Sequence, residues 1–231
     1  GILKGAATGG ETGDGQRYIS ARPSTHQGHG ANLMPRYRLI VEYDGTPYCG
    51  FQRQNNGHTV QAALEKAIFT FSRENVTVRA SGRTDTGVHA LAQVVQCDLD
   101  KVWNTSKIYK AINALLKERG ESVAVLDVRE MPTSWDARFS AVRRHYLYRI
   151  LNRYPQPTVL RNQVWWDKYD LNVDAMQEAA QRLVGTHDFT TFRSTQCQSK
   201  SPLKTLDALH VERIGDEVHI RTHARSFLHN Q

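Results

Sequence analysis

The order of strand and helix patterns constrains the fold of this chain more than any other feature. Residues 36–45 read RYRLIVEYDG, in which alternate apolar side chains lead into an Asp-Gly turn, as in a strand that ends in a turn. Further along the chain, apolar residues recur at helical spacing in two segments. The predicted series is strand 36–43, helix 59–72, strand 76–80, strand 92–97, helix 104–118 and strand 122–128.

This β-α-β-β-α-β order is that of the ferredoxin-like, or RRM-like, domain. The pattern then begins again, with strand 144–151, helix 173–184 ending at Gly185, and a hairpin of strands 205–214 and 217–223. A further helix would follow, and SFLHNQ (226–231) is typical of its first turn. We therefore predict an α+β fold of two ferredoxin-like halves, the second truncated at the C terminus.

Domain boundaries follow from the same patterns. Residues 1–33 are rich in Gly, Ser, Thr and Gln and carry few large apolar side chains, so we expect a disordered tail or an added extension. The first ferredoxin-like domain is predicted over 34–140 and the second over 141–231. The polar stretch 186–204 is expected to be a long loop in the second domain.

The charge balance favours a polyanionic partner. Lys and Arg number 30 against 23 for Asp and Glu, which gives a formal charge of +7. Such an excess matters most where it is clustered. One segment mixes arginines with tyrosines, as phosphate neutralisation and base stacking require: Arg138, Arg143, Arg144, Arg149, Arg153, Tyr146, Tyr148 and Tyr154.

The cysteines and the apolar runs bear on the cellular setting. Cys49, Cys97 and Cys197 are widely spaced, without a pair or a His/Cys cluster at metal-ligand spacing, so we expect reduced thiols and no structural zinc. The sequence has no apolar run of about 18 residues, and 1–33 has no apolar core of a secretory signal. We expect a cytoplasmic protein.

The stretch SGRTDTGVHA (81–90) poses the main question about function. Asp85-Thr86-Gly87 matches the Asp-Thr-Gly of aspartic proteases, but those enzymes need two carboxylates that share one proton. The chain has one such tripeptide, and Arg83, two residues away, favours a charged carboxylate. Asp85 is therefore either a turn residue that bonds its own backbone or a carboxylate that acts near an electron-deficient carbon, as on a nucleoside.

The same stretch resembles the active-site motif Gly-Arg-Thr-Asp-x-Gly-Val-His of the TruA-type tRNA pseudouridine synthases. Other blocks resemble that family in the same order along the chain, so that the resemblance covers residues 36–231. These blocks are VEYDGTPYCGFQRQ (41–54), DARFSAVRRHYLYRI (136–150), DFTTFR (188–193), QCQSKSPLKT (196–205) and RSFLHNQ (225–231).

The resemblance implies an isomerase that converts uridine to pseudouridine in tRNA without a cofactor or metal. Asp85 matches the essential aspartate, Arg83 the arginine that helps to extrude the base, and Tyr146 the tyrosine that stacks on uracil. The implied substrate is the anticodon stem–loop, with uridines at tRNA positions 38, 39 and 40. The family fold implies a merged antiparallel sheet with a central cleft, and a homodimer in which one tRNA spans both subunits.

Other residues carry weaker predictions. Arg53, Arg143 and Arg144 are candidates for phosphate contacts, although a single arginine is more often a solvated charge. His89 belongs to the motif and is expected to be structural rather than a proton carrier.

Two expectations concern activity. In the family, the helix opened by SFLHNQ continues into a Val-Arg pair whose arginine forms a salt bridge with the catalytic aspartate. The sequence stops at Gln231, before such a pair, so we expect the chain as it stands to be inactive or impaired. The alternative to an enzyme is a non-catalytic RNA-binding or tRNA chaperone module on the same fold. The joint presence of Asp85, Arg83 and Tyr146 favours the enzyme.

Overall fold

The computed structural model describes residues 2–4, 34–55, 57–192 and 201–228. Within these ranges lie three α-helices, α1 (Val60–Ser72), α2 (Thr105–Glu118) and α3 (Val173–Gln181). The strands are β1 (Ile2–Lys4), β2 (Arg36–Tyr43), β3 (Arg79–Ala80), β4 (His89–Asp98), β5 (Val123–Met131), β6 (Arg144–Asn152), β7 (Trp165–Asp167), β8 (Gly185–Asp188), β9 (Leu203–Ile214) and β10 (Glu217–Ala224). The fold is mixed α/β.

All ten strands of the described residues belong to one sheet. Its order is β5-β2-β4-β1-β6-β10-β9-β8, with β3 paired to β4 and β7 paired to β6. β1 lies where the two halves meet, parallel to β4 at His89 and antiparallel to β6 at Tyr146. The ends of β4 and β6 that carry these two residues are thereby held in one sheet.

The first half has the predicted order, β2-α1-β3-β4-α2-β5. Both helices begin at side-chain caps, because the Thr59 hydroxyl accepts a hydrogen bond from the Ala62 N–H and the Asn104 side chain accepts from the Ser106 N–H. Their apolar faces cover one face of the sheet. The largest core cluster of the described residues forms there, and its fully buried members include Tyr37, Leu39, Leu64, Ile68 and Ile112.

The second half keeps the predicted β6, α3 and the β9–β10 hairpin, but two short strands were missed. α3 ends at Gln181 instead of 184, and Gly185, with φ +110°, opens β8 rather than only stopping the helix. β8 and a 3₁₀ turn (Thr190–Phe192) occupy the start of the predicted long loop. Because β8 is mostly exposed, its sequence lacks the alternation of apolar residues that predicts a strand.

Three further expectations are changed or lie outside the described residues. The sheet is mixed rather than antiparallel: β7 pairs parallel with β6, because the connection 153–164 is long enough to bring the chain back in the same direction. Within the predicted disordered tail, Ile2–Lys4 form β1, and residues 5–33 are not described, so the tail as a whole stays a prediction. Residues 226–228 are not helical, and 229–231 are not described, so the predicted closing helix is untested.

The structure describes two of the three cysteines. Cys49 and Cys97 are free, whereas Cys197 lies outside the described residues. Burial raises the pKa of Cys97, so this thiol stays protonated in the core of the first half.

Candidate active site

The loop 81–88 joins β3 to β4 and is fixed at its start by buried side chains. Ser81 is fully buried, and its N–H donates to the Val94 carbonyl oxygen at 2.8 Å. Gln93, also fully buried, donates to the Gly82 carbonyl oxygen and accepts from the Ser81 hydroxyl. A buried amide that satisfies both sides of a turn holds the turn in one conformation.

A second loop, 44–51, supports loop 81–88 through close backbone contact. The Phe51 N–H donates to the Thr84 carbonyl oxygen at 3.0 Å. A Cβ on Gly50 would lie 2.7 Å from that oxygen, and a Cβ on Gly45 would lie 2.1 Å from the Val88 carbonyl oxygen. The two glycines therefore let one backbone rest directly on the other.

The loop alternates between side chains that face inward and outward. Thr84 is buried, and its hydroxyl lies 2.7 Å from that of Tyr43 in a hydrogen bond. Arg83 and Asp85, on either side of it, are exposed. Burial raises the pKa of Tyr43 well above its ordinary value, so the bond is one between neutral hydroxyls. Anchoring Thr84 in this way presents Asp85 to the solvent from a fixed backbone.

Tyr146 on β6 lies within electrostatic range of Asp85. Burial raises the pKa of Tyr146 to about 12 against the lowering effect of the Arg144 charge, and the Asp85 carboxylate raises it further. The ring meets Phe227 edge to face, at 4.9 Å between centroids and 87° between planes. Tyr146 is therefore a neutral, oriented aromatic ring on which the charge of Asp85 acts.

His89 connects loop 81–88 to the second half. Its ring is buried, and its Nε2–H donates to the Asn162 carbonyl oxygen at 2.7 Å, because a carbonyl oxygen can only accept. Its Nδ1 faces the Gly45 N–H at 3.2 Å and a carboxylate oxygen of Asp44 at 3.0 Å. This geometry agrees with the structural role expected for His89.

The three candidate phosphate-binding arginines differ in their surroundings. Arg53 is mostly exposed and forms an ion pair with the buried Glu65. Arg143 is half exposed, 3.8 Å from Asp207. Arg144 is partly buried, and its guanidinium donates to the carbonyl oxygens of Ser81, Arg138 and Arg225. A phosphate contact stays a prediction for all three, and the structure gives Arg144 a further role as a link between segments.

Among the described residues, no group of three or more His, Cys, Asp or Glu side chains is arranged to hold a metal ion. No helix in the same ranges is long and apolar enough to cross a membrane.

Comparison with known proteins decides the family. A family model described as tRNA pseudouridine synthase matches residues 39–140 and 179–231. Proteins named tRNA pseudouridine synthase A from Brucella ovis, Brucella canis and Brucella abortus are each 58% identical to the chain over 198 residues, which is 86% of this chain and 79% of each relative. The chain belongs to the tRNA pseudouridine synthase family. The synthase is an isomerase that acts on tRNA.

Several structural residues of the synthase were not found from the sequence. Gln93, Thr84 and Tyr43 hold loop 81–88, and Phe227 orients Tyr146. Thr84 and Phe227 lie inside blocks that resemble the family, so their positions were visible, but their contacts join segments far apart in the sequence. The predicted strand AQVVQC (92–97) carries two glutamines among its apolar residues, and this is the one local signal that could have indicated Gln93.

The contact between the two loops of the synthase leads to a first prediction. Gly50→Ala is expected to lower turnover about tenfold and the free energy of unfolding by about 1–3 kcal/mol, because the methyl group meets the Thr84 carbonyl and φ is +86°. Turnover and thermal unfolding measure the two effects. Gly120→Ala is the matched control, with φ +65° and open space around its Cβ. Equal loss of turnover in both variants would contradict the role of loop contact.

Proposed function

We propose that the synthase isomerises uridines of the tRNA anticodon stem–loop, at tRNA positions 38, 39 and 40, and that Asp85 is its catalytic carboxylate. One observation carries the proposal. Asp85 is exposed on a loop that buried contacts hold in place, and its charge acts on the neutral ring of Tyr146. The relatives named tRNA pseudouridine synthase A support the choice of substrate.

The reaction explains why one carboxylate at a fixed position suffices. The bond between ribose C1′ and N1 of uracil breaks, a bond between C1′ and C5 forms, the C5 hydrogen leaves as a proton, and N1 gains a proton. The isomerisation needs no oxidant or reductant. Attack on the ribose, attack on the base and removal of a ribose proton are alternative routes, and each requires a carboxylate oxygen that faces the flipped nucleotide.

Tyr146 supplies the surface that retains the detached uracil. Its ring stacks on the base, and Phe227 fixes the plane of the ring. Because the pKa of Tyr146 is about 12, the hydroxyl remains neutral at physiological pH and brings no second negative charge beside Asp85.

Arg83 assists extrusion of the uridine. A base in a stem must leave the stack at a cost of a few kcal/mol before it can react. The exposed Arg83 lies two residues before Asp85, with the buried Thr84 between them, so its guanidinium can enter the space that the base vacates. Arg53, Arg143 and Arg144 contribute positive charge along the RNA backbone.

The proposal extends to the assembly. The two halves are ferredoxin-like, and the cleft between them receives the stem–loop. The enzyme acts in the cytoplasm as a homodimer in which one tRNA spans both subunits. The order β5-β2-β4-β3 of the first half supports the ferredoxin-like assignment.

Mapping of pseudouridine in tRNA from cells with and without the protein tests the proposal. Pseudouridine at positions 38, 39 and 40 is expected to disappear in its absence and to return when the protein is restored. Release of tritium from tRNA labelled at uridine C5 provides the matching test in vitro. Loss of pseudouridine only elsewhere in tRNA would overturn the anticodon assignment.

A further inference from the structure

A turn at residues 136–140 presents two side chains next to the candidate active site. The N–H groups of Arg138 and Phe139 donate to the Asp136 carboxylate at 2.8 and 2.9 Å, and the Ser140 N–H donates to the Asp136 carbonyl oxygen. A carboxylate that accepts from two successive N–H groups closes the turn firmly. Phe139 is nevertheless 78% exposed.

The turn is anchored to the sheet on both sides of the exposed ring. Ala137 and Ala141 are buried in a small cluster with Val94 of β4. The Ala137 N–H also donates to the side chain of Gln96 at 3.1 Å. Phe139 is therefore exposed on a turn that is fixed to the sheet. The Arg138 guanidinium lies 5.7 Å from the centre of the Phe139 ring.

Positive charge surrounds the turn. The charges of Arg138 and Arg225 act on Arg144, and Arg143 acts on the neighbouring His145. Of the acidic residues in this region, Asp136 accepts hydrogen bonds from backbone N–H groups within the turn, and Asp207 lies 3.8 Å from Arg143. The surplus is complementary to a polyanion, and an exposed aromatic ring within it suits a nucleic acid better than a second copy of this basic chain.

Arg144 links this turn to the loop that carries Asp85. One guanidinium nitrogen donates to the Arg138 carbonyl oxygen at 3.1 Å and to the Ser81 carbonyl oxygen at 2.5 Å. Ser81 begins loop 81–88. A ligand on the turn is therefore held at a set position relative to Asp85.

We propose that Phe139 stacks on a nucleotide of the bound tRNA and that Arg138 contacts a phosphate beside it. This surface is distinct from the ring of Tyr146 that is proposed to stack on uracil, and only the placement of the stem–loop rests on the proposed function. Stacking on one base accounts for about a tenfold gain in tRNA affinity. The single Arg138 contact adds about one to the slope of log affinity against log salt.

Affinity for whole tRNA, measured across a salt series, tests the surface. Phe139→Ala and Phe139→Leu are expected to weaken binding about tenfold, and Phe139→Trp is expected to retain it, because leucine keeps apolar area but cannot stack. Arg138→Gln should lower the salt slope by about one. Turnover at saturating tRNA should stay within about twofold of the parent for the Phe139 variants, because their effect is on binding and not on the chemical step.

The chain offers a close control. Tyr169 is 70% exposed, its N–H donates to the Asp167 carboxylate, and the Lys168 ammonium lies 5.1 Å from its ring. Tyr169→Ala therefore removes an equivalent aromatic ring from a different surface, and should leave tRNA affinity unchanged.

Two results would overturn the proposal. The first is equal affinity in the parent and in Phe139→Ala. The second is a change of sedimentation in Phe139→Ala without tRNA, since the ring would then belong to a contact between copies of the chain. Because binding is measured with whole tRNA, an incorrect assignment of the modified uridines leaves this test readable.

Discussion

Asp85→Asn is expected to lower turnover by about 10⁴-fold or more, while tRNA affinity stays within about threefold of the parent. The amide matches the carboxylate in shape but brings no negative charge to the reacting nucleotide. Because Asp85 is exposed on a loop whose support comes from Thr84, Gln93 and the 44–51 loop, the substitution leaves the fold intact. Tritium release and filter binding measure the two quantities.

Two companion variants sharpen this test. Asp85→Glu keeps the charge but moves the oxygens by one methylene group, and should still lose about 10²-fold in turnover, because position decides the rate as much as charge. Asp170→Asn changes an exposed carboxylate in the turn before α3 and should have no effect. A parallel loss of binding and turnover in Asp85→Asn would mean that the carboxylate acts in tRNA binding rather than in the chemical step.

Arg144→Lys is expected to lower the free energy of unfolding by about 2–3 kcal/mol and turnover of the folded protein by about 10²-fold. The guanidinium donates in separate directions to carbonyl oxygens of Ser81, Arg138 and Arg225. A lysine ammonium is a single point and cannot reach all of them. The segments before Asp85 and before Phe227 would then lose their common tie.

The adjacent arginine provides the control. Arg143→Lys alters a half-exposed side chain 3.8 Å from Asp207, and its effect on unfolding should stay within about 0.5 kcal/mol. Thermal unfolding and the separate values of kcat and KM distinguish the outcomes. If Arg144→Lys loses stability while kcat of the folded fraction is unchanged, the residue supports the fold without positioning Asp85.

The pattern of the sequence was most informative in the first half. Alternation in β2 and the apolar faces of α1 and α2 each arise from a contact with one core, so the local sequence carries their signal. β7 and β8 were missed for the opposite reason. They are strands of three and four residues on exposed parts of the sheet. Their extended conformation comes from pairing with β6 and β9 rather than from their own residue composition.

Asp85, Arg83 and Tyr146 could be named from the motif blocks, because a resemblance identifies residues directly. Their support could not be named in this way. Tyr43 bonds Thr84 across 41 positions, and Arg144 reaches Ser81 across 63 positions. Hydrogen bonds of this kind leave no periodic trace in a sequence, because each depends on where the chain returns after an intervening sheet or helix.

The sequence by itself determined the order of the main elements, the basic character of the chain and the family, because periodicity, charge and motif order are properties of neighbouring residues. Only the tertiary structure decided how Asp85 is held: by two glycines that admit a second backbone, a buried glutamine, and an arginine shared between segments. These are contacts at short range in space between groups far apart along the chain, and folding alone brings them together.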